Sequence, residues 1–315
     1  MIDPVAQIPD VPLDEALTLV RKAFDAAEIT SRDINSSGVV EYYRQCERAY
    51  RMFHSGEGAL HIGMSPTVDG ANGNTEDVGH RRHVELFAEL VESLGAQRAI
   101  EFGSGMGYNV RTLARQMPNR QFVGVDLSPH HTKAARKDAA GLKNVEFIEG
   151  NYQQLDLADE SFDAVLAIET LCQTEDQRLA IAEAYRLLKP GGRMMVIDCF
   201  RNRPLDEVDE TFREAALLVE KTAAVDKFAV LEPWKQMVAD VGFEVAECID
   251  RSAETARDLQ RLYRLSRRFF KMSLAVKLIR RAMPALAMEN AVCGLLMPYT
   301  VGHAVHGYYT ITLAK

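Results

Sequence analysis

A regular alternation of short apolar runs and helical stretches between residues 98 and 198 is the feature that most constrains the fold of this chain. The runs have the length of buried strands, and apolar residues recur at helical spacing between them. There are five such runs: RAIEF (98–102), QFVGVD (121–126), VEFIE (145–149), FDAVLAI (162–168) and RMMVID (193–198). The spacing predicts helices at 107–117, 129–140 and 174–189. Strands and helices in this order predict right-handed crossover units and a parallel sheet covered on both faces.

The segments on either side predict helical additions to this sheet. Before it, we expect helices at 12–30, 38–54 and 80–94, and a loop at 61–79 that is rich in Gly, Asn and Asp. After it, we expect helices at 205–222 and 231–240, a strand at 243–249, a long basic helical region at 253–289 and a last strand at 307–314. The expected fold is α/β, with a doubly wound, mostly parallel seven-stranded sheet and an α-helical cap.

Charge and cysteine content narrow the class of protein. The net charge of −8 argues against nucleic acid as a partner. The five cysteines form no CxxC pair, so neither a zinc cluster nor a disulfide framework is predicted. No apolar run reaches the ~18 residues that a membrane span needs. We therefore expect a cytoplasmic protein, and the sequence leaves open whether it is a homo-oligomer.

The turn after the first strand, AIEFGSGMG, indicates a ligand that carries no pyrophosphate. A dinucleotide turn would have glycine at position 108, where this chain has Tyr108, and no P-loop string is present. Glu101 lies just before the turn, where a carboxylate repels phosphate and attracts an ammonium group. Backbone amides beyond the glycines would donate hydrogen bonds to a carboxylate or ribose oxygen. The remaining option is a nucleoside-like ligand with an amino-acid end.

Further polar residues are expected at the same edge of the sheet, because the carboxyl ends of parallel strands meet there. Asp126 ends the second strand, where it can accept two hydrogen bonds from a ribose diol. Asn151 follows the third strand, and its amide can read an adenine edge. The full set of predicted ligand-binding residues at this edge is Glu101, Gly103, Ser104, Gly105, Asp126, Leu127, Asn151, Tyr152 and Ile168.

Four ordered motifs resemble those of the class I S-adenosylmethionine (SAM)-dependent methyltransferases, over about residues 85–200. They are AIEFGSGMG, VGVDLS, GNYQQLDLADESFDAVLAIETL and LLKPGGRMMVID. More narrowly, FDAVLAIETLCQTEDQ and the earlier EYYRQCERAYRMFHSGEGALHIGM are similar to the sterol 24-C-, tocopherol and geranyl-diphosphate methyltransferase group. The resemblance implies SAM as the cofactor. It divides the chain into an N-terminal helical cap (1–84), a Rossmann-like SAM-binding core (85–200) and a C-terminal part with an acceptor-binding helical insertion (201–315).

The chain departs from the family pattern at two places. The first turn reads Glu-Phe-Gly-Ser-Gly where the family usually has Asp-Val-Gly-Cys-Gly, which keeps an acid before the turn. Asn151 stands where many relatives carry an acid, and this weakens its assignment to adenine.

Three residues are candidates for the chemistry, and each has a structural alternative. Glu169 follows the fourth strand and can act as a general base or stabilise developing positive charge, or can cap a helix near Thr170. His61 lies in the predicted loop and can take a proton, or can be a solvated loop residue. The resemblance implies that Tyr42 or Tyr43 covers the bound SAM, where an aromatic face attracts the sulfonium. We assign Tyr42 to the cofactor and Tyr43 to catalysis, while both could simply be core residues.

No metal site is predicted. The pairs His80/His83 and His303/His306 have a spacing that a metal can use, but neither has a carboxylate at matching spacing. Cys172 is expected in the wall of the pocket, because methyl transfer needs no covalent enzyme intermediate.

The expected acceptor is small and lipophilic, because the flanking segments are rich in large apolar residues, including Met52, Phe53, Trp234 and Met297. Residues 257–281 carry nine Lys and Arg among apolar residues. This segment is either a solvated amphipathic helix, a peripheral membrane contact or an attraction for an acceptor diphosphate. The leading hypothesis is C-methylation of an isoprenoid, terpene or sterol-like molecule. The alternatives are O- or N-methylation of a specialised metabolite, and a non-catalytic SAM-binding accessory protein.

Overall fold

The computed structural model describes residues 9–65, 76–271 and 284–315, without the side chains of 76–78. The N-terminal part is helical, with α1 (Leu13–Ala23), α2 (Ala26–Thr30), α3 (Ser36–Phe53) and α4 (Glu76–Ser93). The single helix predicted at 12–30 is wrong, because the chain is extended at Phe24 and Asp25 then caps a new helix by accepting a hydrogen bond from the Glu28 amide. Of the predicted loop at 61–79, residues 66–75 lie outside the described part of the chain, and α4 begins four residues before the predicted start.

The core alternates strands and helices as predicted. The strands are β1 (Arg98–Phe102), β2 (Gln121–Asp126), β3 (Val145–Glu149), β4 (Phe162–Ile168) and β5 (Leu188–Arg201). Between them lie α5 (Tyr108–Gln116), α6 (Pro129–Asp138) and α7 (Gln177–Leu187). The first four strands have the predicted limits. Strand β5 is longer than predicted, because LKPGG at its start pairs with the chain around Phe162 instead of only turning into the strand.

Among its described residues, the C-terminal part contributes two more strands and four α-helices. These are α8 (Glu210–Thr222), α9 (Leu231–Val241), β6 (Glu244–Asp250), α10 (Ser252–Lys271), α11 (Ala285–Gly302) and β7 (His306–Ala314). Helix α11 was not predicted as a separate element. It is buried along most of its length, so it is apolar on nearly every side and lacks the one-sided periodicity that reveals a surface helix.

The seven strands form one sheet in the order β3-β2-β1-β4-β5-β7-β6. Strands β1 to β5 run parallel to one another, and β7 lies antiparallel between β5 and β6. The prediction of a doubly wound, mostly parallel seven-stranded α/β fold is confirmed. The strand order reverses between β1 and β4, and at such a switch point the diverging loops leave a crevice for a ligand.

Helices α8, α10 and α11 pack together beside this crevice, and α3 packs on α11. Leu259, Tyr263 and Phe270 of α10 are buried. These helices and the segment after α3 therefore form the predicted cap over the carboxyl edge of the sheet. Within the described residues, no helix is both long and apolar enough to cross a bilayer.

Candidate functional site

A tight turn after β1 forms the floor of a cleft at the switch point. Gly103, Gly105 and Gly107 all have positive φ, at 64°, 51° and 75°. A Cβ on Gly103 would lie 2.0 Å from the Thr170 hydroxyl, and one on Gly107 would lie 2.6 Å from the Phe147 ring. Only glycine satisfies both the backbone conformation and this close approach. The glycine pattern thus brings the backbone of the turn close to the neighbouring strand ends and leaves the space above it open.

Glu101 is buried beneath this turn and has one carboxylate oxygen without a hydrogen bond. Its Oε1 accepts a 2.7 Å hydrogen bond from Asn109 Nδ2, and Oε2 has no partner among the described residues. Burial raises the pKa of Glu101 to about 8, against the opposing effect of the Asn109 hydrogen bond. Glu101 lines the cleft, so an ammonium group there would both pair with Oε2 and favour the ionised carboxylate.

Asp126 lies at the end of β2 and also lines the cleft. Its Oδ2 accepts a 2.8 Å hydrogen bond from the Gly105 amide, and its Oδ1 accepts one of 2.9 Å from the Ser128 amide. The side chain therefore fixes the glycine turn to the second strand. A carboxylate offers about four lone-pair sites, so both oxygens can accept a further hydrogen bond from a bound diol.

Asn151 and Tyr152 line the same cleft but are held by local contacts. Asn151 Oδ1 accepts a hydrogen bond from the Gln153 amide, and Asn151 Nδ2 donates to the side chain of Gln153. The Tyr152 ring stacks on Phe102 with centroids 5.1 Å apart, and its hydroxyl donates to the carbonyl of Thr170. Asn151 turns one donor and one acceptor toward its own loop, so its assignment to adenine stays a prediction. Ser104, Leu127 and Ile168 complete the predicted residues that line the cleft.

The two tyrosines of α3 lie in different places. Tyr43 lines the cleft, and its hydroxyl donates a 3.1 Å hydrogen bond to Gln173. Tyr42 lines a second, apolar cavity and shares a 3.0 Å hydrogen bond with Tyr50. Consecutive helix residues point about 100° apart, and of the two only Tyr43 lines the cleft. The position of Tyr42 does not favour its assignment to the cofactor, which stays a prediction.

The second cavity has a volume of about 360 Å³ and a mostly apolar wall. It lies among α3, α8, α10 and α11. Its larger apolar lining residues are Tyr42, Tyr50, Phe53, Leu60, Ile62, Phe228, Leu259, Leu262, Leu265, Phe269, Met288 and Met297. Tyr43, Leu60, Glu169 and Gln173 line both the cleft and this cavity, so the two spaces meet at these side chains.

Glu169 lies at that meeting point, and its contacts hold it there. It follows β4 with a φ of 43°, a strained conformation for a residue other than glycine. Its Oε1 accepts hydrogen bonds of 2.7 Å from both the Ile62 amide and the Tyr308 hydroxyl. Burial raises the pKa of Glu169 to about 8, although both hydrogen bonds oppose the shift. The carboxyl group can therefore take up or release a proton near neutral pH.

A chain of buried polar side chains extends from Glu169 beneath the cap. His83 Nε2 lies 2.9 Å from the Tyr308 hydroxyl, which itself donates to Glu169, so the imidazole donates to the tyrosine. The ring of His83 contacts that of His61, with centroids 4.1 Å apart, and His61 Nε2 lies 3.3 Å from Asn109 Oδ1. Asn109 in turn donates to Glu101. This buried network of hydrogen bonds and one ring contact thus connects Glu101 and Glu169, the two carboxyl groups whose pKa is raised.

His61 is a buried member of this network and not a solvated loop residue. Burial, helped by the neighbouring His80, lowers the pKa of His61 to about 3. An imidazole with so low a pKa stays neutral at pH values where a histidine is ordinarily protonated, so it is a weak proton acceptor. Of the predicted catalytic residues, Glu169 therefore fits the role of base better than His61 does.

A family comparison agrees with this geometry. Residues 100–196, which include the glycine turn, Asp126 and Glu169, match the family model described as a methyltransferase domain. The chain carries a class I SAM-dependent methyltransferase domain. This confirms the resemblance noted from the motifs, and it makes SAM the cofactor of the domain.

The curated relatives of this methyltransferase domain carry out different methylations. The chain is 29% identical to the methyltransferase phqN of Penicillium fellutanum over 55% of its own length and 53% of the relative. It is 26% identical to the sterol 24-C-methyltransferase of Eremothecium gossypii over 54% and 46% of the two chains. An O-methyltransferase of Pyrenophora dematioidea is 28% identical over 61% and 71%. The chain thus spans about half the length of the first and second of these relatives.

Solved structures similar to the methyltransferase share its fold over most of the chain. The [4+2]-cyclase SpnF has a TM-score of 0.69 at 23% identity and covers 90% of this chain and 96% of its own. The geranyl diphosphate C-methyltransferase of Streptomyces coelicolor has a TM-score of 0.63 at 16% identity, covering 88% and 96%. At these identities the likeness shows the fold alone.

Three side chains of the site were missed by the sequence analysis. Asn109 follows Gly107, the last glycine of the turn, by two residues. Its position close to Glu101 along the sequence was the one signal that could have indicated a contact between them. Tyr308 lies in the last strand and Gln173 in a short turn after Glu169. Both reach the site only because β7 inserts beside β5 and the α3 helix packs over the cleft, which no local pattern reveals.

Proposed function

We propose that the chain transfers the methyl group of SAM to a small, uncharged, lipophilic acceptor. The observation that carries this proposal is the meeting of the polar cleft and the apolar cavity at Tyr43 and Glu169. A donor in the cleft and an acceptor in the cavity would react across that junction. Holding the two in line and away from water supplies most of the catalysis that an already activated methyl group needs.

In this proposal the cofactor lies along the carboxyl edge of the sheet. Its ammonium group pairs with Glu101, its ribose diol with Asp126, and the sulfonium lies close to the face of Tyr43. The buried, unpartnered Oε2 of Glu101 supports this orientation, because a buried carboxylate oxygen without a hydrogen bond is costly unless a ligand satisfies it. The aromatic ring of Tyr43 attracts the sulfonium and a developing cation alike.

The charge of the cavity wall supports an uncharged acceptor. None of the described residues that line it is lysine or arginine, while Glu169 and Asp198 contribute acidic groups. A diphosphate in this space would lack any cationic partner and would face two carboxyl groups. The wall therefore favours a neutral isoprenoid, terpene or sterol-like molecule over an allylic diphosphate.

Glu169 is the base in this proposal. C-methylation of an alkene places positive charge on the acceptor, and a nearby carboxylate stabilises that charge and then removes a proton. The same carboxylate would take the proton of a hydroxyl group. O-methylation is accordingly the second candidate, favoured by the O-methyltransferase relative, of which this chain matches 71%.

The experiment is an acceptor panel read by release of S-adenosylhomocysteine and by product mass. The panel contains a sterol-like alkene, an isoprenoid alcohol, an allylic diphosphate and a lipophilic phenol. The proposal expects turnover with a neutral lipophilic member and little with the diphosphate, and nuclear magnetic resonance of the product identifies the methylated atom. Tight SAM binding without turnover on any member would favour a non-catalytic accessory role, and turnover with the diphosphate alone would overturn the acceptor class.

The basic segment 257–281 is described only as far as residue 271. In α10, Leu262, Leu265 and Phe269 line the apolar cavity, so this part of the apolar face covers the cavity. Residues 272–281 lie outside the described part of the chain. Peripheral membrane contact and self-association both stay predictions.

A further inference from the structure

Two imidazoles and a carboxylate meet in a cluster next to the site. His54 follows α3, His80 lies in α4 and Asp258 lies in the second turn of α10. One ligand atom from each of the three lies within 4.8 Å of the others. His54 and His80 are buried, at 8% and 1% exposure. Three separate elements therefore bring metal-binding side chains together. His54 also borders the apolar cavity, but the proposed function gives this cluster no role.

The hydrogen bond of His54 leaves one of its two ring nitrogens available to bind a ligand. Its Nε2 lies 2.8 Å from the carbonyl oxygen of His61, and because a carbonyl only accepts, Nε2 carries the proton. In the neutral ring with the proton on Nε2, the lone pair is on Nδ1. A histidine that binds a metal usually donates its other ring N–H to a carbonyl or carboxylate in this way.

Asp258 supplies the anionic donor. Its Oδ2 accepts a 2.9 Å hydrogen bond from the Gly63 amide, and its Oδ1 accepts one of 2.8 Å from Arg261 Nε. Arg261 Nη2 also lies 2.8 Å from Oδ1, so Oδ2 is the oxygen that retains a lone pair for a further ligand. Arg261 is also held by the carbonyl of Phe53, so its position does not depend on the carboxylate alone.

We propose that His54, His80 and Asp258 bind a divalent transition-metal ion of the zinc or iron class. Two imidazoles and one carboxylate are a donor set that such ions take, and water or a further ligand completes the coordination. The ion fixes the segment 54–64 to α4 and α10. That segment carries Leu60, His61 and Ile62, which border the cleft or the cavity. The ion therefore stabilises the part of the helical cap that covers the site. This inference does not depend on the identity of the acceptor.

The test is a metal titration of the full chain without a histidine tag. The protein is treated with a chelator, desalted and titrated with Co²⁺ and with Zn²⁺, followed by visible absorption for Co²⁺ and by elemental analysis after gel filtration. The proposal expects about one retained ion per chain, a Co²⁺ spectrum of low symmetry, and a raised thermal unfolding temperature. If the wild-type chain retains only a small fraction of one equivalent of Co²⁺ or Zn²⁺, the proposal is overturned, and no variant is needed to decide this.

Variants locate the ion. His80→Gln and Asp258→Asn are each expected to weaken Co²⁺ binding by at least tenfold. The matched control is His130→Gln, since His130 is an exposed histidine outside the cluster that contacts Glu47. Circular dichroism and SAM affinity establish that each variant folds. Binding that survives both cluster variants, or that is lost in the control, places the ion elsewhere and overturns the assignment.

Discussion

At the scale of single residues, two buried carboxyl groups dominate the chemistry of the site. Glu101 and Glu169 both have pKa values raised to about 8 by burial, and the polar network through Asn109, His61, His83 and Tyr308 connects them. Glu101 has one oxygen without a partner, whereas Glu169 lies at the junction of the cleft and the cavity. In the proposed function, burial thus prepares these two carboxyl groups for different roles: Glu101 holds the donor, and Glu169 takes the proton of the acceptor.

Glu101→Gln should weaken SAM binding by about 1.5–3 kcal/mol, because a charge-assisted hydrogen bond to the ammonium group is lost. Isothermal titration calorimetry measures the affinity. Glu146→Gln is the matched control, since Glu146 is an exposed residue of β3. An unchanged affinity in the Glu101 variant would remove the amino-acid end of the cofactor from this position.

Asp126→Ala should weaken SAM binding by roughly 1–3 kcal/mol, through loss of the acceptors for the ribose diol. Because Asp126 also accepts from the Gly105 and Ser128 amides, Asp126→Asn is measured beside it, which keeps an oxygen for the turn. If both variants bind SAM as tightly as the wild type does, the ribose assignment is wrong.

Glu169→Gln should lower turnover while the affinity for SAM is nearly kept. In the wild type, the rate should increase as the pH increases through about 8, because the ionised carboxylate is the form that takes the proton and its pKa lies there. The pH dependence of kcat, measured from pH 6 to pH 9, should lose this ascending limb in the variant. A variant that keeps both turnover and the pH profile would make Glu169 a structural residue.

At the scale of elements, the sequence pattern predicted those helices and strands whose limits depend on neighbouring residues along the chain. The limits of β1 to β4 follow from apolar runs bounded by turns, and the glycine turn follows from its own residues. Helix α11 was missed because burial on all sides removes its periodicity, and the break at Phe24 was missed because the apolar spacing continues across it. The contacts of Tyr308 and Gln173 depend on tertiary packing, so no spacing along the chain could predict them.

Helix α11 also offers a test of the cavity as the acceptor site. Ala291 lines the cavity, and Ala291→Phe would fill part of its 360 Å³. Acceptor KM should increase about tenfold or more, and SAM affinity should stay constant because Ala291 does not line the cleft. Ala285→Phe, at an exposed position of the same helix, is the control. Unchanged kinetics in Ala291→Phe would place the acceptor elsewhere.

At the scale of the whole molecule, the fold separates two tasks. The parallel sheet supplies a rigid edge that presents Glu101, the glycine turn and Asp126 to one face of the cleft. The helical cap encloses an apolar space, and we propose that its size and charge select the acceptor.

A crystal structure with S-adenosylhomocysteine tests the central claim most directly. The account predicts that its ammonium group pairs with Glu101 Oε2, that its ribose diol contacts Asp126, and that its sulfur faces the junction at Tyr43 and Glu169. A molecule bound in the reverse direction, with its adenine toward Glu101, or a sulfur turned away from the apolar cavity, would contradict it.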